Sequence, residues 1–91
     1  MDLEIQEIFL KKTYTEKYKS WAKSVNEMYR LYENDFASSI IERTCYQFTI
    51  TCKKLTFEFY PLSRKICIHG NNKWITVPKG SLRNIIKSLI K

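Results

Sequence analysis

Three side chains of this chain could form a nucleophilic site. Cys67 and His69 lie two residues apart, so on an extended strand they share a face, and an imidazole beside a thiol can draw off its proton. Glu58 stands where a neighbouring strand could present a carboxylate to orient that imidazole. Acyl transfer also needs donors for a developing oxyanion, and the chain has no glycine-rich loop, nucleophile elbow or phosphate cradle to supply them. Paired carboxylates have no better basis, because Glu58 is the one acid after residue 43. A structural zinc site needs four converging ligands, commonly in close pairs. Here Cys45, Cys67 and His69 fall on one strand parity and Cys52 on the other, leaving any such site open. The residues therefore point to a non-catalytic protein with no metal or other cofactor.

A second set of residue types suits a polyanion. Cations that reach phosphates release condensed counterions, and flat aromatic rings stack on unpaired bases. Tyr60, His69 and Trp74 fall on one parity of successive strands, and Lys53, Lys54, Arg64, Lys65 and Lys73 surround them at strand ends and turns. That interleaving is expected of a sheet that binds single-stranded DNA or RNA, and these eight residues form the candidate nucleic-acid site. The same side chains serve a second reading, in which a protein with an acidic surface is the partner, as for a small phage- or virus-encoded accessory or inhibitor. In a third, the N-terminal segment covers Tyr60 and Trp74, and the cations are merely solvated.

The elements that position these residues follow from periodicity. Between Cys45 and Val77, Tyr46, Phe48, Ile50 and Cys52 alternate with polar residues, as do Leu55, Phe57 and Phe59, then Ile66 and Ile68, then Ile75 and Val77. Little chain separates these runs, which predicts an antiparallel meander of three to four strands over 45–77. Lys53-Lys54 has the length of a tight turn but no Gly or Asn, so a distorted or longer turn is expected. Pro61 suits the second turn and Gly70-Asn71-Asn72 the third.

Two helices should cover the sheet. Residues 3–12 fit a strand by the alternation of Leu3 and Ile5 and a short helix by the face Ile5, Ile8 and Phe9, the helix being favoured, and Thr13 with Glu16 offers a capping box that starts a helix after it. Tyr14, Tyr18, Trp21, Ala22, Val25, Met28, Tyr29 and Tyr32 then recur at helical spacing as a broad aromatic face. Asn34-Asp35 is expected to break the helix, with Asp35 capping a continuation through Phe36, Ile40 and Ile41 to about Arg43. After Pro78, Ser81 is the expected cap of a C-terminal helix with the apolar stripe Leu82, Ile85, Ile86, Leu89 and Ile90, and with Arg83, Lys87 and Lys91 opposite. The fold expected is α+β in a single domain: 1–43 mainly helical, 44–77 an antiparallel sheet, 78–91 the C-terminal helix, both helices on one face.

Charge separates the two halves. Residues 1–43 carry seven basic and eight acidic side chains, a net −1; residues 44–91 carry nine basic and one acidic, a net +8. A field of one sign on one module attracts a polyanion. With 44% hydrophobic residues and thirteen aromatics among 91, the chain has the material for a core. It has no apolar run of membrane-spanning length and no secretory signal pattern, and three unpaired-looking cysteines do not form a disulfide framework. The expectation is an intracellular protein, cytoplasmic or nuclear, with no membrane partner. A homodimer could form by pairing at an edge strand, the first or the fourth.

The segment Lys73-Trp74-Ile75-Thr76-Val77-Pro78, running into the helix from Leu82 to Ile90, resembles the strand-to-helix end of transcriptional-coactivator-type single-stranded DNA-binding domains. The order helix, strands, helix is similar to that of double-stranded-RNA-binding domains, without their glycines or basic helix start. Neither resemblance includes a diagnostic motif, and no site residues follow from them.

Overall fold

Residues 39–76 form a five-stranded sheet, every neighbouring pair antiparallel, in the order of the sequence. In this computed structural model, which describes the backbone of residues 2–90 and the side chains of residues 16–90, the strands are β1 (Ser39–Thr44), β2 (Gln47–Cys52), β3 (Leu55–Tyr60), β4 (Lys65–Ile68) and β5 (Ile75–Thr76). A long helix, α1 (Asp2–Tyr29), precedes them and α2 (Leu82–Leu89) follows. The fold is thus α+β with a meander sheet. No helix among the described residues is long and apolar enough to cross a membrane.

One face of the sheet makes the core. Phe48, Ile50, Cys52, Phe57, Phe59 and Ile66 are buried there against Val25, Met28 and Leu31 from the N-terminal part and Leu82 and Ile86 from α2. Tyr29 meets Phe48 edge-on, with centroids 6.2 Å apart and planes at 86°. The C-terminal part of α1 and the apolar stripe of α2 lie on this side, against the apolar parity of the strands.

The N-terminal third differs from the expectation. α1 runs unbroken through Thr13, so the capping box there starts nothing. The α-helix ends at Tyr29 and tightens into a 3-10 segment, Arg30–Asp35, where Glu33 turns extended and Asn34 and Asp35 take φ of 58° and 55°. No helix restarts at Asp35. Two successive left-handed residues reverse the chain, and Ser38 N–H joins Thr51 O at 2.8 Å to open β1, a fifth strand inside the stretch expected to be helical. The spacing of Phe36, Ile40 and Ile41 fits a helix face as well as a strand, and the β-branched pair tips it to a strand once β2 offers hydrogen bonds. Of the expected aromatic face, Val25 and Met28 are buried and Trp21 and Ala22 half-buried, whereas Tyr18, Tyr29 and Tyr32 are exposed. The side chain of Tyr14 lies outside the described residues.

Smaller corrections have local causes. Tyr46 stands exposed in the β1–β2 turn instead of on the inner face. The Lys53-Lys54 turn is two residues after all, because Lys53 itself takes φ 54°. Ser81 makes no side-chain cap; the N–H of Leu82 donates instead to Glu27 Oε1 on α1, at 3.0 Å. Arg83 is drawn from solvent onto the Phe36 ring, 4.7 Å from its centroid, and donates to the Glu33 carbonyl.

Candidate nucleic-acid interface on the outer sheet face

Strand alternation sends every second side chain away from the helices. Cross-strand partners place Ile41, Thr49, Glu58 and Cys67 in one row across the outer face, and Tyr60, Lys65 and Thr76 in another. Trp74 lies two residues before Thr76, on the same parity, and its ring sits 5.2 Å from that of Tyr60 with the planes tilted by 52°. Tyr60 is half-buried, and Trp74 is 47% exposed, leaving about half of the residue open to solvent.

A polar strip crosses the same face, centred on Glu58. Its carboxylate accepts from Gln47 Nε2 at 2.9 Å and Thr49 Oγ1 at 3.3 Å, and faces His69 Nδ1 at 3.1 Å. Arg43 Nε donates to Thr49 Oγ1 at 3.0 Å. The structure thus joins His69 to Glu58, as the spacing suggested. Cys67 sits opposite Glu58 but is buried, and its thiol is pushed up first by that burial and then by the Glu58 charge, against an opposing backbone hydrogen bond from Glu58. A nucleophilic thiol needs the opposite shift. The inner-face Cys52 is likewise pushed up, to about 11, mainly by burial, with Arg83 working against it.

The eight sequence-derived residues do not form one ring. Lys53 and Lys54, the loop carrying Lys73, and His69 cluster at one end of the sheet, where β2 meets β3 and β4 ends. Arg64 and Lys65 are at the other end, a strand's length or about 20 Å away. Lys53, Lys54, Lys65 and Lys73 are exposed, and no ion pair among the described residues involves them.

Arg64 is a correction. Its Nε donates to Val77 O at 2.8 Å, Nη1 to Ser24 Oγ at 2.9 Å and Nη2 to Pro78 O at 2.9 Å, and Nη2 pairs with Glu27 Oε2 at 2.8 Å. The guanidinium ties the β3–β4 turn to α1 and to the chain entering α2, and only 12% of the side chain is exposed. A side chain so engaged is scaffold and not a phosphate ligand. Sequence reasoning missed Arg43, which reaches the outer face through Thr49, because the stretch up to Arg43 read as helix.

A separate apolar groove of about 300 Å³ lies between α1 and the β1–β2 turn, lined by Tyr18, Trp21, Tyr46 and Leu62. Tyr18 stacks on Trp21 at 5.7 Å, and the Trp21 indole N–H donates to the Cys45 carbonyl.

Compared with known proteins, the chain matches no family model, no curated protein and no solved structure.

Proposed function

We propose that this is a small, non-catalytic nucleic-acid-binding protein that takes single-stranded DNA or RNA on the outer face of its sheet. The observation that carries this reading is the Trp74–Tyr60 pair, with Trp74 47% exposed on the sheet face opposite the core. A base stacking on Trp74 would lie between Lys65 towards one end and Lys73, Lys53 and Lys54 towards the other, four exposed ammonium groups with no ion-pair partner among the described residues. Aromatic stacking tolerates any base, and lysine is a mobile point charge, so the reading is of strand binding with little sequence choice. The net +8 of residues 44–91 adds electrostatic steering.

The test is a pair of variants. Trp74→Ala should weaken single-strand binding by about 5- to 150-fold, the loss of one base stack, with little effect on duplex. Changing Lys53, Lys54, Lys65 and Lys73 together to Glu should abolish binding of both while the circular dichroism spectrum stays folded. Unchanged affinity in either variant refutes the reading.

A protein partner is favoured by a different observation, the Tyr18–Trp21–Leu62 groove, since exposed aromatics in a concavity anchor interfaces. In that case the lysine changes would mainly slow association and Tyr18→Ala would speed dissociation.

A further inference from the structure

A second groove, of about 360 Å³, runs between α1 and the loop joining β5 to α2. We infer that it binds a phosphate group, held by Lys19 and Lys23 of α1 on one wall and Lys79 on the other. The inference needs nothing from the sheet-face reading.

The charge balance of the groove is what points to an anion. Its floor holds Arg64 and Glu27, which neutralise each other at 2.8 Å. Three of the other four guanidinium N–H groups are engaged by Val77 O, Ser24 Oγ and Pro78 O, and the other Glu27 oxygen accepts from the Leu82 N–H. Three ammonium groups then face the groove against one rim carboxylate, Glu16, a surplus of two positive charges. None of the three lysines has an ion-pair partner among the described residues. Lys19 and Lys23 are one helical turn apart, where like charges repel, and Lys79 adds a third from the facing loop. Such a concavity focuses field on whatever anion enters and relieves the repulsion when it does. Point-charge ammonium groups on flexible stems suit a tetrahedral phosphate, whereas planar carboxylates favour the guanidinium fork, most of whose donors are here already taken. Ser20 adds a hydroxyl donor on the same wall.

The phosphate could belong to the 5′ end of a strand or to a free phosphorylated small molecule. The experiment is an amide-resolved NMR titration of the full chain with inorganic pyrophosphate at about 10 mM ionic strength, where charges are felt over about 30 Å. Saturable shifts confined to residues 19–24 and 79–82 are expected, with affinity about tenfold lower in Lys79→Glu and also lowered in Lys79→Gln, and unchanged in Lys87→Glu on the exposed side of α2. Shifts spread evenly over Lys53, Lys54 and Lys73, or an unaltered affinity in both Lys79 variants, overturn the inference. Trp74→Ala separates the two proposals: it should reduce strand binding and leave pyrophosphate binding intact. In a second arm, tighter binding of a 5′-phosphorylated oligonucleotide than of its 5′-hydroxyl form assigns the phosphate to a strand. Equal binding, with pyrophosphate still held, assigns it to a free compound.

Discussion

Replacing Arg64 by Ala should destabilise the fold far more than removal of a surface cation. The pair with Glu27 has side-chain exposures of 12% and 22%, so it is largely desolvated. Removing one partner of a buried pair costs about 3–5 kcal/mol. Glu27 keeps the Leu82 N–H and some contact with water, which brings the loss of the pair to about 2–3 kcal/mol. Hydrogen bonds to the carbonyls of Val77 and Pro78 vanish as well, adding about 1 kcal/mol. The sum, about 3–4 kcal/mol, would be read as a lower urea midpoint by far-ultraviolet circular dichroism, and as a fall in Tm of more than about 12 °C for a domain of this size. An internal control comes from the backbone. Arg64 has φ 53°, a left-handed conformation that disfavours any residue with a Cβ. Arg64→Gly should therefore be about 1 kcal/mol more stable than Arg64→Ala, although it removes one more atom of side chain. A loss below about 1 kcal/mol in Arg64→Ala would refute the reasoning, as would a glycine variant no better than the alanine one.

Two further predictions concern the core and the sheet edge. Cys52 ionises at about 11 in the folded chain against 9.0 ordinarily, so between those values the unfolded chain has released a proton that the native one retains. Stability should fall as pH rises through that window, by about 1.4 kcal/mol per unit of displacement, and the pH slope of Cys52→Ala, measured by urea unfolding, should lack this contribution. Equal slopes would contradict the burial of that thiol. The hydroxyl of Tyr32 accepts the edge N–H of Ile40 at 2.8 Å, blunting the exposed side of β1. Tyr32→Phe should cost about 0.5–1.5 kcal/mol and raise self-association in sedimentation; a monomer as stable as the parent would show the hydroxyl to be idle.

The sheet was legible because β2, β3 and β4 alternate strictly and the inner parity contains little but Phe, Ile and Cys. The C-terminal helix was legible because Leu82, Ile85, Ile86 and Leu89 leave one reading of period. β1 was not, since Ile40-Ile41 amid polar residues carries too short a pattern, and its strand character depends on pairing with β2. The outer-face parity placed Tyr60, Trp74, Glu58 and His69 together in advance. Arg64 was misjudged for a physical reason: composition marks a turn arginine as a cation but does not reveal a carboxylate 37 residues earlier on a facing helix. Glu27 serves both as that partner and as the cap of α2, a tertiary role no local pattern records.

The most direct test of strand binding to the outer face follows the two indole N–H signals during a salt titration with single-stranded and duplex DNA and RNA. Trp21 is the internal reference, because its N–H is held by the Cys45 carbonyl away from the sheet face. The account predicts that single strands shift the Trp74 signal and leave that of Trp21 in place, with log affinity falling linearly against log salt. Absence of binding at about 50 mM salt, or binding that moves Trp21 and not Trp74, would contradict it.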